Sequence, residues 1–267
     1  MKLKNSTFMT IRNIANHLEE IAPLKQAEDF DNVGLLIGDY NTKVTGILVT
    51  LDTLEETIDE AITKNCNLIV SFHPIIFSGL KKINGNSYVE RVVLKAIKNN
   101  IAIYATHTAL DNSKVGVSAK MCEVLGLINY KILIPKEETG IGMGMIGNLP
   151  EPMQEDDFLQ YSKMIFNSGG VRFSKKIGRT IQKIAVLGGS GSFAISNAIQ
   201  EKADVYISAD FKYHDFFKAE GKILLIDVGH YESEQFTKNL LVEYLTKKFT
   251  SFAVILSEKS TNPIYYL

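Results

Sequence analysis

The sequence predicts an α/β fold, and three observations carry that expectation. Residues 67–72 and 223–228 are nearly unbroken apolar runs, as in strands of a sheet covered on both faces. Such runs alternate with stretches whose apolar residues recur at helical spacing, an order that builds a mostly parallel sheet flanked by helices. Polar residues suited to chemistry then fall just beyond strands: His73, His107 with Asp111, and His230. Open α/β sheets collect their ligands at that rim.

Thr10 caps the first expected helix, in which Ile11, Ile14, Ala15, Leu18 and Ile21 make one apolar face before Pro23 stops it. Residues 27–38 mix turn formers with apolar anchors and read as an ordered loop leading into a short strand. A strand at 44–51 follows, and Thr53 with Glu56 forms a capping box for the helix carrying Ile58, Ala61 and Ile62. The strand at 67–72 ends in His73 and Pro74. Ser87 with Glu90 caps the next helix, which leads to a strand at 101–105 and then to a loop holding His107 and Asp111.

The pattern weakens between about 130 and 180. Residues 134–140 look like a connector, residues 140–147 alternate small and large side chains as in a strand under close backbone approach, and 155–166 read as a helix. The second half resumes with a strand at 181–187, a glycine-rich turn at 188–192, a helix at 194–200 and strands at 204–208 and 223–228. One long helix at 232–248 and a last strand at 252–256 complete it. The expected division is therefore a first lobe at 1–135, a connector at 136–180 and a second lobe at 181–267.

The chain has 267 residues, 45% of them hydrophobic and 22% charged, with a net charge of −1, which suits an ordinary globular protein with a real core. That balance supplies no basic stripe for nucleic acid. No apolar run approaches the roughly 20 residues that cross a bilayer. Behind Lys2 and Lys4 there is no apolar core of a signal peptide. Cys66 and Cys122 are too few and too far apart for a disulfide framework and read as buried thiols in a reducing cytoplasm.

Around Gly229 a buried strand turns into a helix with metal-ligating residues at its mouth. If that helix begins near Tyr231, His230 and Glu234 lie one turn apart and converge, an imidazole and a carboxylate suited to a borderline divalent cation. The alternative is that Glu232 and Glu234 only complement the helix dipole and that His230 is a satisfied turn residue. His73 precedes a proline that fixes its backbone. Asp111 is a candidate ligand or a turn cap, and His107 a candidate ligand or a donor that orients one. The 188–192 loop has the shape of an anion cradle or of a tightly packed turn. Asp210, Tyr213, His214 and Asp215 read as a surface helix supporting the site. No Gly-x-Ser-x-Gly elbow stands in the setting a serine hydrolase needs.

Several blocks together resemble a known family: residues 27–35, where Phe30 replaces the usual tryptophan, residues 71–77, residues 107–111, Gly188 to Gly191, and residues 229–234. The sequence is similar, nearly end to end, to the Nif-three-like dinuclear metal centre proteins, also called GTP cyclohydrolase 1 type 2 homologs. The resemblance implies two related α/β halves packed face to face with the metal site in the cleft between them. It implies His73, Asp111, His230 and Glu234 as ligands of two divalent cations, zinc, iron or manganese, with a bridging carboxylate. It also implies a ring-shaped homohexamer in the cytoplasm and a metal-dependent hydrolase acting on a purine nucleotide, with phosphate at the glycine loop. A non-enzymatic assembly or regulatory protein is the alternative. Two departures stand out. Phe72 replaces the first histidine of the family's His-His-Pro, which weakens one metal position unless His107 substitutes. The chain also lacks the domain that longer relatives insert between the halves.

Overall fold

A computed structural model describes residues 8–138 and 140–267. The lysines near the N-terminus and Thr139 of the expected connector lie outside the described residues. The strands in chain order are Gly34–Ile37 (β1), Gly46–Thr50 (β2), Leu68–Ser71 (β3), Ala102–Ala105 (β4), Ile128–Pro135 (β5), Gly142–Met153 (β6), Arg172–Phe173 (β7), Ile181–Ser190 (β8), Val205–Ala209 (β9), Leu224–Asp227 (β10) and Ala253–Leu256 (β11). The α/β class is as expected. The strands make two sheets in two compact units.

The first unit comprises the chain up to Ala109 together with Lys238–Thr261. Its sheet runs β1-β4-β3-β2-β11, with β4, β3, β2 and β11 parallel and β1 antiparallel at the edge. Leu48, Ile69 and Ile103 project from one face into a core that includes Ile58, Ala61, Val92 and Ala96. Their neighbours Ile47, Val49, Leu68 and Val70 point the other way and are equally buried. Both faces of this sheet are therefore covered, which is why its strands read as continuous apolar runs. Glu60, buried in the helix Glu55–Thr63, accepts hydrogen bonds from the Ser257 hydroxyl and the Glu258 amide and so fastens the segment after β11.

The second unit comprises Leu110–Thr237 and Asn262–Leu267. Its sheet runs β5-β6-β8-β9-β10-β7. Only β8, β9 and β10 are parallel; β5, β6 and β7 pair antiparallel, so this sheet is mixed rather than mostly parallel. Alternation along its central strands divides two cores. Ile184, Val186, Val205, Ile207, Leu224 and Ile226 face one core with Phe158 and Phe166, while Ala185, Tyr206 and Leu225 face the other with Phe211.

Four local expectations are corrected. Residues 136–180 are not a separate connector but part of the second unit: the strand and helix read there are β6 and Glu155–Ile165, and β7 follows them. The compact units are also interleaved along the chain, because β11 pairs with β2, whereas the expected lobes were continuous. The helix after Thr53 begins at Glu55, and the Thr57 hydroxyl, not Thr53 with Glu56, accepts the Leu54 amide. The expected long helix at 232–248 is two helices, His230–Glu234 and Thr237–Lys248. By contrast, Ser87 accepts the Glu90 amide at 3.2 Å, as its spacing predicts. Among the described residues no helix is long and apolar enough to cross a membrane.

Phe158 is fully buried on the helix Glu155–Ile165. Phe158→Ala leaves a cavity in that core and is expected to lower stability by about 3–5 kcal/mol. Urea denaturation of the two proteins side by side measures this.

Candidate metal centre

In the first unit the site residues hang from the ends of parallel strands. Beyond β3 the chain is held in line by its neighbour: the His73 amide donates to the Leu51 carbonyl at 2.9 Å. The Ser71 hydroxyl donates to the His73 carbonyl at 2.9 Å, and Pro74 restricts the backbone next door. The adjacent strand β2 ends just before Asp52, whose Oδ1 lies 2.8 Å from His73 Nδ1. The other oxygen of Asp52 accepts the Thr261 hydroxyl at 2.5 Å. His73 is thus positioned through its backbone on one side and its ring on the other.

His107 follows β4 and opens a short helix, His107–Asp111, where the sequence suggested a loop. Its Nδ1 lies 2.8 Å from Asp31 Oδ1, and the Asp31 Oδ2 accepts both the amide and the hydroxyl of Thr108. Burial opposes charge on Asp31, but the hydrogen bonds from His107 and Thr108 outweigh it and hold the carboxyl at about 2. The His73 and His107 rings are 5.3 Å apart and nearly perpendicular. Phe72 is fully buried, and its ring meets the His107 ring edge-to-face with centroids 5.5 Å apart.

In the second unit Asp111 ends that helix, half-buried. Gly229, at a φ of 98° that favours glycine, turns the chain out of β10 into the helix His230–Glu234. His230 and Glu234 then lie on successive turns, with Nε2 and Oε2 3.2 Å apart, as their spacing predicts. His230 Nδ1 lies 2.7 Å from Asp210 Oδ2. Burial works against the imidazolium, yet Asp210 and Glu234 together push the His230 pKa up to about 11. Asp210 follows β9, the strand beside β10, and sits in left-handed backbone at φ 57°. It belongs to the site and precedes the helix Tyr213–Ala219 with which the sequence grouped it.

The glycine loop packs against this pair. An added Cβ on Gly189 would collide with the Glu234 carboxylate and come within 3.3 Å of the His230 ring, and φ is +67° there. The Gly189 amide donates to the Ser233 hydroxyl at 2.9 Å, and its carbonyl accepts the Ser208 hydroxyl. Of the two roles the sequence left open, close packing is the one these contacts serve.

Each of the three histidines therefore turns Nδ1 to a carboxylate. With Nδ1 committed to the aspartate, Nε2 is the nitrogen left to face a metal; at His230 a cation would first have to displace the proton that Asp210 and Glu234 favour. Sequence spacing alone did not assign this role to Asp52, Asp31 or Asp210. The signal was present only as position: Asp52 and Asp210 each stand just past the strand beside the one that carries the histidine.

Comparison with known proteins bears on the same residues. A family model described as Duf34/NIF3 (NGG1p interacting factor 3) matches residues 9–263. The chain belongs to that family. Among NIF3-family relatives, a GTP cyclohydrolase 1 type 2 homolog of Clostridium perfringens is 32% identical over 265 residues, covering 97% of this chain and 100% of the relative. One from Staphylococcus epidermidis is 28% identical over 366 aligned positions, covering 97% of this chain and all of the longer relative. Both lengths thus occur among relatives. The crystal structure of a Staphylococcus aureus hypothetical protein superposes with a TM-score of 0.91 at 30% identity, covering 97% of this chain and 99% of that one.

Because the Asp31 carboxyl is held below its ordinary value of 3.8, it adds stability above about pH 4 that is lost as the pH falls toward 2. Over that interval the native protein is expected to lose about 2 kcal/mol more than Asp31→Asn. Denaturation midpoints at stepped pH values report the difference.

Proposed function

We propose that this protein binds divalent metal through His73, Asp111, His230 and Glu234 and uses it as a metal-dependent hydrolase. The carrying observation is the hydrogen bonding of the histidines, each fixed at Nδ1 by an aspartate. The imidazole of His230 and the carboxylate of Glu234, 3.2 Å apart, are donors of the kind that fit zinc, iron or manganese. When bound, the cation supplies Lewis acidity toward a carbonyl or phosphoryl group.

The chain's own groups do the rest. Asp52 and Asp210 hold the imidazoles in one tautomer and raise their basicity. Gly189, lacking a Cβ, leaves the Glu234 carboxylate the room it occupies against the strand. His107, fixed by Asp31 and 5.3 Å from His73, is the candidate ligand for a second cation in place of the missing histidine at Phe72. A homohexamer, a cytoplasmic location and a purine nucleotide substrate complete the proposal on the strength of kinship with GTP cyclohydrolase 1 type 2 homologs.

The rival is a non-enzymatic assembly or regulatory protein whose metal is structural or sensory. The observation that favours it is the buried Phe72, since a phenyl ring coordinates nothing.

His230→Ala is expected to lose most of the bound metal, and Asp210→Asn to weaken metal affinity about ten- to a hundredfold. Elemental analysis after dialysis measures both, and an unchanged stoichiometry in His230→Ala overturns the ligand assignment. Turnover on GTP and other nucleotides, with iron, manganese and zinc restored separately, separates the enzyme from its rival. Activity that follows metal content and vanishes in Asp111→Ala supports the hydrolase, whereas silence across all metals supports the rival.

A further inference from the structure

Beside the histidines of the first unit the surface is aromatic. Phe30 is 65% exposed and Phe77 50% exposed, although they stand on different loops. Their rings meet with centroids 6.3 Å apart and planes tilted by 50°. At that separation no third ring fits between them, so together they form one wall. Phe77 in turn meets His107 at 6.2 Å, nearly edge-on, and His107 meets the buried Phe72 at 5.5 Å. The row of rings is anchored in the core at one end and open to solvent at the other.

The two loops are also fastened to each other. The Asn32 side-chain amide donates to the Ile76 carbonyl at 2.5 Å, next to Phe30 on one strand of chain and Phe77 on the other. Asp31 is held by His107 and Thr108, and the Glu28 amide donates to the Thr108 hydroxyl at 2.9 Å. Exposed phenyl rings on loops fastened in this way offer an apolar, polarisable surface on which each ring presents its own flat face. Flat heteroaromatic rings stack on such faces, largely without regard to their hydrogen-bonding edges.

We propose that Phe30 and Phe77 are the stacking surface for a flat heteroaromatic ring of the substrate, such as a purine, whose reacting group lies toward His107 and His73. The direction of the substrate rests on the metal site proposed above; the stacking surface itself rests on the rings alone.

The test is calorimetric titration of the full chain with guanosine and adenosine, using ribose 5-phosphate as a probe without an aromatic base, and with metal content measured on every sample. Phe30→Leu and Phe77→Leu keep apolar bulk and remove the ring; each is expected to weaken nucleoside binding about tenfold or more. Phe30→Trp is expected to bind at least as tightly as the native protein. The proposal is overturned if the native protein binds neither nucleoside, if the leucine variants bind as it does, or if ribose 5-phosphate binds equally well. A protein that binds nucleoside through Phe30 yet retains no metal overturns the metal site and leaves the wall standing. One that retains metal and ignores nucleosides overturns the wall alone.

Discussion

The hydrogen bond from histidine Nδ1 to an aspartate is the constraint on which the site depends, and sheet geometry creates it. Neighbouring parallel strands lie about 4.8 Å apart, so residues just past their carboxyl ends come within reach of each other. Asp52 past β2 meets His73 past β3, and Asp210 past β9 meets His230 past β10. Each unit thus uses the same device in its own sheet. A histidine held in this way has its Nδ1 committed and its ring oriented, so that Nε2 is the nitrogen turned toward a ligand.

The rest of the local architecture keeps that condition. Thr261 orients Asp52, Thr108 orients Asp31, and Ser233 ties the helix of His230 to the Gly189 amide. Each adds a second hydrogen bond to the set that positions a histidine. Phe72 shows the same economy in another form: a side chain that cannot coordinate instead packs edge-on against His107 and fixes its ring plane.

The parts of this design that are periodic along the chain could be read from it. His230 and Glu234 are four apart on a helix, and the capping pair Ser87 and Glu90 three apart, so the spacing alone places them. The buried strands announced themselves because both sheets are covered on two faces. What escaped were relations across strands. Asp52 is 21 residues from His73 and Asp210 is 20 from His230, and no one-dimensional period links them. The break between Glu234 and Thr237 escaped as well, since Phe236, Leu240, Leu241 and Tyr244 keep helical spacing through it. Residues 136–180 looked like a connector because antiparallel strands with glycines lack the apolar density of the parallel ones. Yet β6 runs from Gly142 to Met153 between β5 and β8 in the second sheet.

The pairing of β11 with β2 places strands from opposite ends of the chain side by side. During synthesis, β2 leaves the ribosome early and must wait until residues 253–256 emerge before that edge is filled. All of the second sheet is translated in the interval. The first unit therefore cannot finish folding co-translationally ahead of the second, and an exposed parallel strand edge persists for most of translation, the kind of surface chaperones shield from aggregation.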